Sequence, residues 1–217
     1  MSVPLTISRI HFPVTTLGPG RRLGIWFQGC TIRCKGCISA DTWGSGGHST
    51  TDEEVLNIIS PISSGIDGVT ITGGEPFEQP AALQSLLAGL RRLLPCGVDI
   101  LVYSGFSIAA IAPWLEKMKG MIDALISEPF DELATQTRAL LGSDNQKLSL
   151  LTPLGHERFL AFDRMRTEED NQLDLCIDDE GIVWMSGIPR KGDFRMLEQM
   201  LRVQGYLIRT SGDARTQ

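Results

Sequence analysis

The feature that most restricts what this chain can fold into is the regular alternation of short apolar runs with amphipathic stretches. Leu5 to Phe12 (LTISRIHF) alternates apolar and polar residues, and after the Gly18-Pro19-Gly20 turn Leu23 to Phe27 (LGIWF) forms a second β-rich run. Thr51-Asp52-Glu53-Glu54 carries a Thr and a Glu three apart, a capping box that opens a helix bearing Val55, Ile58 and Ile59. Gly68 to Thr72 (GVTIT) predicts a buried strand. Leu83, Leu86, Leu87, Leu90 and Leu94 recur at helical spacing, and Val98 to Tyr103 predicts the next strand. Ile108 to Met118 and Met121 to Ile126 repeat the helix and strand. This pattern predicts an α/β fold of right-handed βαβ units on a largely parallel sheet, open or curved into part of a barrel. Ligands of such folds gather at the carboxyl ends of the strands, where the motifs below fall.

The chain has 217 residues, enough for one domain with an appendage. Twenty Lys+Arg against 26 Asp+Glu give a net charge of −6, and no basic stripe gathers the positive side chains, so nucleic acid is not an expected partner. No apolar run approaches the ~18–20 residues of a membrane span, and the first residues read as a strand rather than a signal peptide. A cytoplasmic protein is expected. Beyond residue 155 the character changes. Leu173 to Ile177, a turn at Asp178-Asp179-Glu180-Gly181, and Ile182 to Met185 predict a hairpin, followed by a helix from about Asp193 to Val203. Residues 1–155 are therefore expected to form a core and residues 156–217 an extension packed on it.

Five cysteines are present, and Cys30, Cys34 and Cys37 fall within eight residues, too close together for a disulfide framework. Thiolates at this spacing can converge on one inorganic centre, and among the usual metals they select zinc, copper(I) or iron–sulfur clusters. Structural zinc wants a closed set of four donors, for which His48 is the only nearby addition, since Cys96 and Cys176 are solitary and read as buried, inert thiols. A [4Fe-4S] cube held by three cysteines instead keeps one iron open for another ligand.

Cys30-x3-Cys34-x2-Cys37 after a strand, with Gly73-Gly74-Glu75-Pro76 after the next one, resembles the radical S-adenosylmethionine (SAM) enzymes. The resemblance narrows with Gly18-Pro19-Gly20, Trp26-x-Gln28-Gly29-Cys30, Thr42-Trp43, Phe77-Glu78-Gln79, Tyr103-Ser104-Gly105-Phe106, Ile122-Asp123, Pro129-Phe130 and Gly142-Ser143-Asp144-Asn145-Gln146. In this order they are similar to activating proteins of the anaerobic ribonucleoside-triphosphate reductase, over about residues 5–155. The resemblance implies a partial (β/α) barrel of the radical SAM type, with a C-terminal hairpin-plus-helix extension. It implies a [4Fe-4S] cluster on Cys30, Cys34 and Cys37, whose open iron is chelated by SAM. Reductive cleavage of SAM then gives a 5′-deoxyadenosyl radical that abstracts hydrogen, installing a glycyl radical on a partner enzyme, with a flavodoxin or ferredoxin-type protein as electron donor. Two other readings stand beside it: a radical SAM enzyme acting on a different peptide or small molecule, and a non-catalytic metal-binding module.

On this reading Gly73 and Gly74 leave room for the methionine moiety of SAM to approach the backbone, Pro76 fixes the turn, and Glu75 offers a carboxylate to an ammonium group. Ser104 and Glu128 are expected near SAM, although Ser127-Glu128-Pro129 departs from the family's usual Asp-Gly-Pro. Asn145 and Gln146 are expected in a loop at the mouth of the site. Trp43 either shields the cluster or belongs to the core. Lys35, Arg21 and Arg22 read as solvated charges. Residues 156–217 complete the sheet, cover its open side or serve a partner.

Overall fold

A computed structural model describes residues 2–177 and 183–205. Strands β1 (Pro4–Val14), β2 (Arg22–Phe27) and β3 (His48–Thr51) precede helix α1 (Asp52–Ile59). Then come β4 (Gly68–Gly73), α2 (Pro80–Leu93), β5 (Asp99–Tyr103), α3 (Ile108–Lys117), β6 (Ala124–Ser127), β7 (Lys147–Leu150) and α4 (Pro153–Phe159). A hairpin of β8 (Leu173–Ile177) and β9 (Val183–Gly187) leads to α5 (Asp193–Val203).

Seven strands form one sheet in the order β3-β1-β2-β4-β5-β6-β7. The pairs β2/β4, β4/β5 and β5/β6 are parallel, while the flanking pairs β1/β3, β1/β2 and β6/β7 are antiparallel. Register keeps the parallel strands in step: Arg22 faces Gly68 and Gly68 faces Asp99, so the strands start together, and Phe27 faces Gly73 where two of them end. The α/β class and the alternation read from the sequence hold. The capping box forms as expected, Thr51 accepting from Glu54 N–H while Glu54 accepts from Thr51 N–H. Three elements escape the sequence reading. β3 and β7 are only four residues long and α4 only seven, too short to show a period.

Alternation along the strands separates two faces. Leu23, Ile25, Phe27, Val69, Ile71, Ile100 and Val102 point to one side, where Leu83, Leu86, Leu87 and Leu90 of α2 lie fully buried against them. Burial of side chains like these contributes about 1.5–3 kcal/mol each. Leu101, Ala124 and Ile126 point to the other side, where they cluster with Leu140, Leu141 and Phe159, and Trp26 packs there with Val14 and Leu17. Ile188 touches both clusters on that second face. The hairpin β8-β9 forms a sheet of its own, so it does not extend the large one. Its expected turn, Asp178 to Gly181, lies outside the described residues, as does the side chain of Cys176. Helix α4 runs across residue 155, and Phe159 at its end is completely buried.

The starting edge of the sheet is closed by Arg22, which corrects the expectation of a solvated charge: its side chain is 0% exposed. It donates to Asp99 Oδ1 at 2.6 Å, Thr70 Oγ1 at 2.6 Å, Val69 O at 2.7 Å and Pro19 O at 3.0 Å. Arg158 of α4 donates to the other oxygen of Asp99 at 3.1 Å. The glycines around this plug are spatial requirements, because a Cβ on Gly68 would stand 2.2 Å from the Arg22 guanidinium. Arg21 and Lys35 are exposed as expected, the latter paired with Glu132. Cys96 is exposed rather than buried, because it sits in the turn between α2 and β5. Among the described residues no helix is long and apolar enough to cross a membrane.

Removing one partner of a buried ion pair leaves the other charge uncompensated, at a cost of about 3–5 kcal/mol. Asp99→Ala is expected to destabilise the fold by about that amount in urea titrations. The double substitution Arg22→Met with Asp99→Leu is expected to lose clearly less, since no buried charge then remains.

Candidate functional site

The chain leaves β2 at Gln28 and enters a loop that carries all three clustered cysteines. Its exit is pinned to its entrance: Gly29 N–H donates to Thr42 O at 2.7 Å and Cys30 N–H to Trp43 O at 3.2 Å. The buried Gln28 amide donates to Gly44 O at 2.9 Å and Asp41 O at 3.3 Å. Positive φ values at Gly29, Arg33 and Gly36 coil the intervening chain tightly.

Each thiol is surrounded by hydrogen-bond donors. Cys30 accepts from the N–H groups of Arg33 and Ile32, Cys34 from that of Phe130, and Cys37 from Ser39 N–H and the Trp43 side chain. Burial pushes all three thiols above their ordinary value, these donors pull them back, and Cys34 and Cys37 are further raised by their neighbouring cysteines. Donors converging on a partly buried sulfur suit one that carries negative charge, as thiolates on iron do. Among the described residues no three His, Cys, Asp or Glu donors stand close enough to hold a single metal ion. The thiols are near enough to feel one another. His48 is exposed on β3.

Gly73-Gly74-Glu75-Pro76 ends β4 alongside this loop. Gly74 N–H donates to Phe27 O at 2.8 Å and Glu75 N–H to Gly29 O at 2.7 Å. A Cβ on Gly73 would lie 2.7 Å from both Phe27 N and O, and one on Gly74 would lie 2.2 Å from Gly29 O. The space beside Gly73 is thus filled by the backbone of β2, and that beside Gly74 by the backbone of the cysteine loop. Gly73 also has φ +99°.

Glu75 is 1% exposed. Its Oε1 accepts from Phe77 N–H at 2.9 Å and Ser104 Oγ at 2.9 Å, and its Oε2 from Gly105 N–H at 2.7 Å. Burial pushes this carboxyl up to about 7 against the pull of those donors. An approaching ammonium group would therefore have to share an oxygen already bonded to protein. Pro76 and Ser104 are buried as well, and Ser104 Oγ also accepts from Phe106 N–H at 3.1 Å. Glu75 thereby ties the end of β4 to the end of β5.

Two residues unmarked by the sequence reading complete these ties. Glu78 accepts from Thr31 N–H at 2.8 Å and Thr31 Oγ1 at 2.6 Å, holding the cysteine loop. Gln79 accepts from Thr6 N–H at 2.8 Å and donates to Thr6 O at 2.9 Å and Gln28 O at 3.0 Å, imitating a strand neighbour for β1 and β2. The only sequence signal for either was membership of the Phe77-Glu78-Gln79 string.

Glu128, after β6, has φ +82°, a conformation that favours glycine. This sets the alignment with Asp-Gly-Pro: Glu128 stands at the glycine and Ser127 at the aspartate. Glu128 pairs with Lys147 at 3.8 Å. Ser127 is fully buried, and its Oγ has no hydrogen-bond partner among the described residues. The Gly142 to Gln146 segment braces this turn from behind, with Asn145 donating to Pro129 O at 2.8 Å, Gln146 to Glu128 O at 3.2 Å, and Ser143 Oγ accepting from Asp131 N–H at 3.0 Å. Phe130 completes the chain of contact, its ring lying within 3.3 Å of the Cβ positions built on Gly36 and Gly142. Cys30, Cys34, Cys37, Gly73, Gly74, Glu75, Pro76, Ser104 and Glu128 thus assemble along one sheet edge.

A family described as a 4Fe-4S single cluster domain matches residues 16–149. The anaerobic ribonucleoside-triphosphate reductase-activating protein of Vibrio cholerae is 30% identical over 150 residues, 65% of this chain and 96% of that relative. The chain belongs to the radical SAM activating enzymes. A pyruvate formate-lyase-activating enzyme of Staphylococcus aureus is 39% identical over 83 residues, 36% of this chain and 33% of its own. Among solved structures, QueE from Escherichia coli superposes with a TM-score of 0.38 at 19% identity, over 47% of this chain and 52% of that one. As a radical SAM activating enzyme this protein uses a [4Fe-4S] cluster and SAM.

Gly74→Ala is expected to cost at least about 2–3 kcal/mol, because the new methyl meets backbone rather than a side chain that can swing away. Glu75 keeps its proton to higher pH in the fold than in the unfolded chain, so wild-type stability should fall relative to Glu75→Gln as pH rises. The difference between ordinary 4.5 and about 7 corresponds to a loss of order 3 kcal/mol across that window, measurable by denaturant titration of both proteins.

Proposed function

We propose that Cys30, Cys34 and Cys37 hold the [4Fe-4S] cluster, and that Gly73, Gly74, Glu75, Pro76, Ser104 and Glu128 border the SAM site beside it. The observation that carries this reading is the convergence of donor-rich thiols with the ends of β4, β5 and β6 on one edge. The chemistry supplied by a bound cluster is reductive cleavage of SAM to methionine and a 5′-deoxyadenosyl radical able to abstract hydrogen. The contribution of this chain is to bind, orient and exclude water. The loop pinned between residues 28–30 and 42–44 fixes the thiols, and Glu75 holds the ends of β4 and β5 at a set separation. The buried floor of Leu101, Ala124 and Ile126 keeps bulk water from the second face of the sheet.

The hydrogen donor in our reading is a glycine Cα of a partner glycyl-radical enzyme such as an anaerobic ribonucleotide reductase, as the names of the relatives suggest. Exposed Arg33 and Lys35 on the cysteine loop suit the approach of an acidic electron donor of the flavodoxin or ferredoxin type. We read the sheet as a partial barrel, residues 1–155 as the radical SAM core with α4 as its junction, residues 156–217 as an extension packed on that core, and the setting as cytoplasmic.

Anaerobic reconstitution with iron, sulfide, reductant and SAM is expected to give about four irons per chain and 5′-deoxyadenosine, and Cys34→Ala is expected to lower cleavage at least about 100-fold. Undiminished iron and cleavage in all three single cysteine variants would overturn the ligand assignment. A glycyl doublet in the EPR spectrum of a co-incubated reductase tests the partner; its absence, with cleavage intact, would redirect the substrate.

A further inference from the structure

The C-terminal hairpin reaches the cysteine loop through a short series of contacts. The Arg9 guanidinium of β1 stands 5.1 Å from the Trp184 ring centre on β9 and 5.2 Å from that of Trp26 on β2. His11 packs against the same two indoles, at 5.5 Å from Trp26 and 5.7 Å from Trp184. Arg9 also forms an ion pair with Asp41, which lies in the turn Ala40–Thr42. That turn ends on Trp43, and both donors to the Cys37 thiol, Ser39 N–H and the Trp43 side chain, flank it.

The hairpin itself is firmly seated. Asp174 of β8 accepts from Thr15 N–H at 2.6 Å, Thr15 Oγ1 at 2.7 Å, Thr16 N–H at 3.1 Å and Thr16 Oγ1 at 2.9 Å. Gln136 donates to Pro189 O at 2.9 Å and Lys191 to Ala134 O at 2.7 Å. Trp184 is consequently a fixed wall for Arg9, not a swinging one, and a guanidinium over aromatic rings is held by both cation–π attraction and stacking.

We propose that Arg9 and Trp184 are positioning residues for the iron–sulfur centre: through Asp41 they set the turn from which Ser39 and Trp43 donate to the Cys37 sulfur. This rests on the assignment of Cys37 as a cluster ligand. A hydrogen bond to a ligand sulfur stabilises the more negative, reduced cluster and raises its potential, so a loosened turn lowers it. The extension thereby acts on the redox centre through Arg9 and Asp41.

The test uses the reconstituted full chain. Trp43→Phe is expected to shift the cluster midpoint potential, read by EPR-monitored titration, to more negative values. Arg9→Ala and Trp184→Ala are expected to shift it in the same direction by less, while Trp184→Phe stays near wild type. In the iron-free protein, hydrogen exchange of residues 39–44 is expected to quicken in Arg9→Ala and Trp184→Ala but not in Trp184→Phe, with exchange in α2 unchanged as the control for folding. If Trp43→Phe shifts the potential and the Arg9 and Trp184 variants alter neither potential nor exchange, the proposal is wrong and the ligand assignment stands. If Cys37→Ala leaves iron content and potential untouched, the assignment itself fails, and the exchange arm alone then judges the coupling.

Discussion

Everything at the carboxyl edge of this sheet hangs on one close approach, that of the backbone at Phe27 and Gly29 to the backbone at Gly74 and Glu75. Two strand ends that elsewhere would splay are drawn together where no Cβ can fit. From this contact the carboxylate of Glu75 reaches Ser104 and Gly105, and Glu78 and Gln79 reach Thr31, Thr6 and Gln28. The cysteine loop is thereby fastened to three strands by groups that are mostly backbone. A site built in this way keeps its shape through hydrogen bonds whose geometry leaves little slack, which suits an inorganic group that needs its ligands held at fixed positions.

The opposite edge is organised on a different principle. Arg22 and Asp99 are both fully buried, and desolvating two charges is compensated only when their remaining donors and acceptors are satisfied. Here they are, through Thr70, Val69, Pro19 and Arg158. The pair fixes where β2, β4 and β5 begin, and strands that begin in step carry their loops to a common edge. The charged plug at one end thus bears on the geometry of the thiols at the other.

Much of this was legible in the sequence. The apolar period of α2, the β-branched run of β4 and the capping box of α1 each specify their element locally, and the cysteine and glycine strings fall where the strands end. What stayed hidden depends on partners distant in sequence. Arg22 reads as a surface charge until Asp99 faces it 77 positions away, and nothing in Gly73-Gly74 itself shows that the backbones of β2 and of Gly29 lie where their Cβ atoms would stand. The left-handed backbone of Glu128 was not legible in its side chain, and it supports placing Glu128 at the motif's glycine. β3 and β7 gain their identity from the neighbours they pair with, Leu5 and Leu125 among others, and not from their own composition.

The contact of Arg9 with Trp184 joins β1 to the hairpin β8-β9. During synthesis a chain emerges from its N-terminus, and the parallel sheet with its cysteine loop can form before residue 184 has left the ribosome. The loop then lacks its last support until residue 184 arrives. Completion of the thiol environment in this way waits on residue 184, so a product truncated before it would carry all three cysteines yet not the finished setting for them.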